Sequence, residues 1–545
     1  MSTEKIQKED NAVVYERPID PSTGPHAAQT IEAPVTIRAY LLCAFASFGG
    51  IFFGYDSGYI NGVTGAKVFI EMIEGEGATA LSASHNSLIT GILSVGTFFG
   101  ALVGGELADF FGRRMAIIMG CGVYTIGVVI QMLTNSRYAL GMLSGGRFVA
   151  GIGVGFVSAV IVLYMSEVSP RKVRGALVSG YQWCITIGLL IAACVNYGTK
   201  GLDNTGSYRI PIAIQFAWGI ILAVGLFLLP ESPRFWVMKG EHEKASQSLS
   251  RVRGQPIDSH YITSELAEII ANYDQESKHV SPTWIGKWKN VFSGSIWEAK
   301  SHLRRVILGT SLHMMQQCSG VNFIFYYSTP FLQSTGAISN TFLISLIFTL
   351  INVCSTPVSF YTMEKYGRRP LLIWGALGML ICQFIVAIVG STVGFNKVTE
   401  IMGPDGELVS RANNIAAVNS QIAFIAIFIF CFATTWGPTP WVLVGEMYPL
   451  SMRAKGVALC TASNWLWNAV IAIMTPYLTS KDKANLRSFV FFLWGGLCTA
   501  AFIYSYLLVP ETKGLTLEQV DQMFEETTPR NSSKWRPHDS SQAKV

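Results

Sequence analysis

Charged residues are scarce in this sequence. They make up 14% of its 545 residues, whereas a soluble chain carries nearer a quarter. Half of the residues are hydrophobic and the mean hydropathy is +0.37. This balance excludes an ordinary soluble domain. Other absences narrow the class further. No G-x4-G-K-[ST] pattern occurs, so the phosphate cradle of an ATP-driven pump is missing. No nucleophile–base constellation stands out, so an enzyme is not expected. All ten cysteines lie inside apolar stretches, without C-x-x-C or Cys/His spacing. Neither a disulfide framework nor a zinc site is indicated, and the cysteines read as small buried hydrophobes. The N-terminal residues 1–35 lack the apolar core of a signal peptide and read as a disordered cytosolic tail.

What the chain does have is long apolar stretches. A helix needs roughly 20 apolar residues to cross about 30 Å of hydrocarbon. Candidate spans cover 37–64, 88–108, 115–133, 140–164, 176–197 and 210–229, then 303–332, 341–362, 370–392, 417–442, 456–478 and 487–509. The predicted class is an all-α membrane protein with twelve transmembrane helices in two six-helix halves, 36–229 and 303–509. A charged linker, 230–302, separates them, with a helical run near 241–253, and 510–545 forms a C-terminal tail. Lys and Arg crowd the loops after even-numbered spans, as at Arg113, Arg114, Arg171, Lys172, Arg368, Arg369, Arg453 and Lys455. The loop at 480–487, with Lys481, Lys483 and Arg487, is an exception. The excess still predicts that both termini and the linker are cytosolic.

Three signatures occur twice and in the same order. Gly112-Arg113-Arg114 returns as Gly367-Arg368-Arg369. Glu167-x6-Arg174 returns as Glu446-x6-Arg453, and Pro230-Glu231-Ser232 as Pro510-Glu511-Thr512. Two halves of one design are implied, able to rock about a central site. Acid–base clusters at helix ends suit a gate, because exposed ion pairs are worth only about 0–1 kcal/mol each and can be broken.

Together these motifs resemble the sugar porter family of the major facilitator superfamily. The matches are Gly105-x3-Asp109-x2-Gly112-Arg113-Arg114, Arg147-x3-Gly151-x-Gly153-x-Gly155, Tyr164-x-Ser166-Glu167, Pro230-Glu231-Ser232-Pro233-Arg234, Gln316-Gln317-Cys318-Ser319-Gly320-Val321-Asn322 and Pro510-Glu511-Thr512-Lys513-Gly514. They run from about residue 40 to 525 and are closest in look to fungal monosaccharide carriers. The resemblance implies transport of a hexose such as glucose by alternating access at a plasma membrane. The expected partners are the sugar, a proton and the lipid bilayer. No cofactor, metal ion or nucleic acid is expected, and the monomer is the expected working unit.

A sugar site needs amides, which both donate and accept, and an aromatic plate. Gln316, Gln317 and Asn322 stand in span seven, and five or six residues apart they diverge by roughly 140° and 240° on a regular helix. Gly320 and Pro330 suggest a break that lets all three face one cavity; the alternative is glue between helices. The resemblance makes Gln182, Gln316, Gln317, Asn322, Asn352 and Asn468 sugar ligands and Trp441 the stacking ring. Asn464 shares the face of Asn468. Gly437-Pro438-Thr439-Pro440 must interrupt span ten. Phe323, Phe325, Tyr326 and Tyr327 match the outer gate, with ordinary packing equally open for Phe323 and Phe325. Trp465 and Trp467 read as packing or interface residues.

Asp56 in span one and Arg147 in span four fall at similar depth, so a carboxylate–guanidinium pair could act as a proton switch. The alternative is a structural ion pair. The resemblance also assigns a cytosolic gate to Asp109, Arg113, Arg114, Glu167, Arg174, Glu364, Arg368, Glu446 and Arg453, with Glu106 in the same signature. Glu167 is expected to act with Arg174, and Glu446 with Arg453. Two alternatives to proton symport remain: facilitated uniport, and a sugar sensor on the same scaffold, against which the short tail after Pro510 speaks. Related porters also carry pentoses, polyols, disaccharides or quinate, and the retained Gln-Gln-x4-Asn and Trp441 favour a monosaccharide.

Overall fold

The computed structural model describes residues 34–78, 81–135, 138–199, 201–278, 283–298, 301–325, 341–393, 398–402, 408–412, 414–479 and 484–536. Among them, ten helices are long and apolar enough to cross a membrane. Spans one to six are Ile37–Thr64, Ala83–Phe111, Arg113–Met132, Ala139–Val168, Arg171–Thr199 and Gly206–Leu228. Spans nine to twelve are Arg368–Thr392, Ile415–Glu446, Arg453–Thr479 and Arg487–Leu508. Span eight is bent by 42° between Leu343–Ser355 and Val358–Tyr366, where Pro357 cannot donate to the helix ladder. Span seven begins as His302–Gln317, turns at 318–320 and resumes over 321–325. The twelve-helix architecture expected from the sequence is therefore present, with ends moved by a few residues. Tyr326, Tyr327, Pro330, Lys481 and Lys483 and the tail 1–33 lie outside the described residues.

Small residues let the helices meet backbone to backbone. A Cβ on Gly100 of span two would lie 2.2 Å from the Ile152 carbonyl oxygen, and one on Gly155 of span four 2.4 Å from that of Thr97. Such contact is how apolar helices gain packing energy where no hydrophobic drive operates. Between spans one and five, Gly54 does the same, with a Cβ position 2.0 Å from the Ile185 carbonyl.

Three segments hold more structure than the sequence reading gave them. The linker contains the helices Pro233–Met238, His242–Arg253, His260–Ser277 and Trp284–Val291. The C-terminal segment forms Leu517–Glu526, begun by a capping box of Thr516 and Gln519. An antiparallel hairpin, Val398–Met402 with Leu408–Ala412, joins spans nine and ten.

Candidate functional site

All seven residues expected to hold a sugar line one cavity, whose 580 Å³ of non-atom space includes space open to solvent. They are Gln182, Gln316, Gln317, Asn322, Asn352, Trp441 and Asn468, joined by Asn464. Spans one and five contribute from the first half; spans seven, eight, ten and eleven contribute from the second. The break in span seven is what aligns its amides. Gly320 takes φ +87°, and a Cβ there would strike the Trp494 ring at 2.7 Å. Asn322 then turns back, and its Nδ2 donates to Gln317 Oε1.

Span ten is interrupted as its sequence required. Phe432–Trp436 forms a π-helical turn, a feature frequent at functional sites. Pro440 has no N–H to give to the Trp436 carbonyl four residues back. Gln316 Nε2 supplies the missing donor, to Trp436 O at 2.9 Å and Gly437 O at 2.8 Å. Its Oε1 accepts from Asn464 Nδ2 at 2.8 Å. Gln316 thus braces the broken helix as well as facing the cavity. Asn352 Oδ1 and Asn464 Oδ1 are buried acceptors with no donor among the described residues. Trp441 is held edge-on by His313 and Tyr181, with ring centroids at 4.5 and 5.5 Å. The sequence reading missed His313, whose Nδ1 lies 3.1 Å from Gln316 Oε1.

Asp56 and Arg147 are both buried, but among the described residues no ion pair joins them. Arg147 donates instead to the Tyr59 hydroxyl at 2.6 Å and to the Ile89 carbonyl at 2.9 Å. The Tyr59 hydroxyl in turn donates a hydrogen bond to Gln131 Oε1 at 2.6 Å. Among the described residues, Asp56 Oδ1 receives only a long bond from Tyr124 at 3.5 Å, and Oδ2 has no donor. The expected direct pair is therefore a small polar nest in which Tyr59 stands as Arg147's partner.

On the face that carries the linker, the repeated signatures build the same object twice. Gly112 and Gly367 take φ +98° and +95°, which only glycine adopts without strain. Glu231 accepts the backbone N–H groups of Arg113 and Arg114; Glu511 does so for Arg368 and Arg369. Each carboxylate thus caps a helix N-terminus, where the dipole favours negative charge. Burial nevertheless raises the Glu231 carboxyl above its ordinary range, against the pull of these N–H groups and Arg113. Arg113 pairs with Glu167 at 3.1 Å, and Arg368 with Glu446 at 2.9 Å. These partners correct the expected Glu167–Arg174 and Glu446–Arg453 pairs. Arg174 and Arg453 lie at the helix starts opposite, Arg174 near Glu446 and Arg453 near Glu167. Direct links between the halves come from Lys455, which holds Asp109 at 3.0 Å and Glu106 at 3.1 Å. Glu364 adds another by accepting the Ala176 N–H at 3.1 Å.

The profile of the family described as "Sugar (and other) transporter" matches residues 42–524. The chain belongs to that family. As a sugar transporter it is 41% identical to the major facilitator-type transporter ecdD of Aspergillus rugulosus, over 92% of this chain and 90% of that one. It is 40% identical to the probable glucose transporter rco-3 of Neurospora crassa, over 89% and 79%. It is also 37% identical to the high glucose sensor RGT2 of Saccharomyces cerevisiae, over 93% of this chain but 63% of the sensor. Among solved structures, the proton:xylose symporter XylE bound to 6-bromo-6-deoxy-D-glucose superposes with TM-score 0.75 at 26% identity, covering 89% of this chain and 99% of that one. The inward-open form of XylE from E. coli, with the same coverage and 25% identity, gives 0.62. This sugar transporter is thus nearer the ligand-bound form, in keeping with the links that Lys455 and Glu364 make between the halves on the linker face.

Two expected outcomes follow for that face. Lys455→Met removes the cation that Glu106 and Asp109 share across the halves, leaving Asp109 with Arg113 of its own half at 3.6 Å. A partly exposed pair is worth about 1 kcal/mol, so the closed-to-open ratio should fall about fivefold. Spin labels on the ends of spans two and eleven, read by pulsed dipolar spectroscopy, measure it; an unchanged distance distribution removes Lys455 from the gate. The second concerns Glu518, which contacts Arg234. Burial alone would raise the Glu518 carboxyl, but Arg234 and its neighbours hold it down at about 2. A depressed acid stabilises fully above its unfolded value of about 4.3 and loses that contribution as pH falls towards 2. Thermal stability should therefore fall below about pH 4 in the wild type, and less steeply in Glu518→Gln. Parallel curves for the two proteins would show that the contact carries no stability.

Proposed function

We propose that this sugar transporter carries a hexose such as glucose by alternating access, coupled to a proton through Asp56 and Arg147. The observation that carries the reading is a cavity between the halves, walled by Gln182, Gln316, Gln317, Asn322, Asn352, Trp441 and Asn468. Sugar hydroxyls are the donors that the orphaned Asn352 and Asn464 oxygens lack, and a buried acceptor left unmet costs about 1–3 kcal/mol. Trp441 offers its face to the apolar side of a pyranose. The linker-face groups Asp109, Arg113, Arg114, Glu167, Arg174, Glu364, Arg368, Glu446 and Arg453 form the inner gate. Coupling draws support from the unmet Asp56 oxygen beside buried Arg147. The protein works as a monomer in the plasma membrane, with the linker and both ends in the cytosol.

Uniport is the second reading, favoured by the lack of direct contact between Asp56 and Arg147. Uptake of labelled glucose into proteoliposomes, with and without an inward proton gradient, separates the two. Accumulation above equilibrium only with the gradient supports symport. Equal, equilibrating uptake supports uniport, and no uptake in either removes glucose as substrate.

A further inference from the structure

The linker helix Trp284–Val291 and the turn after it carry apolar side chains that nothing in the described molecule covers. Trp284, Ile285, Phe292, Ile296 and Trp297 are exposed, Trp297 at 87%. A water-facing loop seldom holds so many large apolar groups in so short a stretch. Lys287 and Lys289 are exposed on the same helix. Three contacts fix its position. The Ser293 carbonyl accepts the Leu303 N–H at 3.1 Å and the Ser301 hydroxyl at 3.2 Å, so it sits against the first turn of span seven. Trp284 Nε1 donates to Glu106 Oε2 at 3.0 Å, near the end of span two. The Lys455 ammonium lies 5.8 Å from the Trp288 ring centre. At this level the spans expose apolar groups of their own: Phe110 and Phe111 on span two and Ile307 on span seven. The Trp284 contact to Glu106, one turn before Phe110, sets the bare linker helix beside these exposed span ends.

We propose that residues 284–297 form an amphipathic anchor lying in the bilayer surface on the linker face. Its tryptophans and isoleucines enter the boundary between headgroups and acyl chains, and Lys287 and Lys289 meet anionic headgroups. Trp beside Lys is the composition that settles at such a boundary. Lipid is the occupant because the side chains emerge beside span ends that themselves face lipid. The same segment holds Glu106 and Lys455, so the anchor ties the link between the halves to the membrane.

The test uses the full-length protein in vesicles of phosphatidylcholine and phosphatidylglycerol. Spin labels are placed at Trp297→Cys and, separately, at Ile285→Cys, in a background with the exposed Cys194 and Cys354 changed to serine. Collision rates with oxygen and with a water-soluble nickel chelate give each label's depth. The expected result is oxygen in excess at both sites, at a depth of about 5–10 Å. Nickel in excess at both sites, with sugar binding retained, overturns the proposal. The readout needs no transport, so it fails or succeeds independently of the proton coupling.

Discussion

Asp56→Asn is expected to abolish uphill sugar accumulation while leaving exchange nearly intact. One proton crossing 100 mV carries about 2.3 kcal/mol, which supports about fiftyfold accumulation at 1.36 kcal/mol per decade. The variant should only equilibrate. The side chain is isosteric, so the Tyr124 contact at 3.5 Å can persist and the fold should not suffer. What is lost is a group able to alternate between neutral and charged beside Arg147. Counterflow of labelled sugar, which needs no net proton movement, measures the spared half of the cycle. Accumulation that persists in Asp56→Asn would end the coupling role. Tyr59→Phe is informative alongside it, because it frees Arg147 from its 2.6 Å hydroxyl partner.

The spans were legible because about thirty ångströms of hydrocarbon impose a length and a composition on every crossing. The cavity wall was legible because amides in apolar helices are rare, and because its motifs match a family. Partner choice was not. Glu167 reaches Arg113, 54 residues away, rather than Arg174 in its own signature. Spacing along one chain does not say which helix ends meet. The nest around Asp56 was missed because Tyr124, Gln131 and Gln215, whose Oε1 accepts from the Tyr124 hydroxyl at 3.3 Å, lie far along the chain from Asp56 and Tyr59. Their signal was available, since an intramembrane polar side chain asks for a partner. The paired strands Val398–Met402 and Leu408–Ala412 also had a signal: the turn-forming run Gly403-Pro404-Asp405-Gly406 stands between them in the sequence.

The two neighbouring glutamines of span seven should separate in a way that divides scaffold from ligand. In Gln317→Ala the protein loses an acceptor for Asn322 and Asn468 in the cavity wall. Sugar affinity should fall about tenfold or more, at 1–3 kcal/mol for an unmade polar contact, with little change in melting temperature. In Gln316→Ala the carbonyls of Trp436 and Gly437 lose their side-chain donor together, and the amide of Asn464 loses one of its two contacts, keeping His313. Buried carbonyls stripped of that donor, at about 1–3 kcal/mol each, should lower the melting temperature and the affinity together. Binding of labelled sugar and thermal melts on the same detergent-purified samples give both numbers. Equal melting temperatures for the two variants would mean that Gln316 does not hold span ten open. A lowered melting temperature for Gln316→Ala alone would place the origin of the site in the prolines. They strip span ten of donors, the neighbouring helix supplies an amide to replace them, and the cavity is what that exchange leaves between the halves.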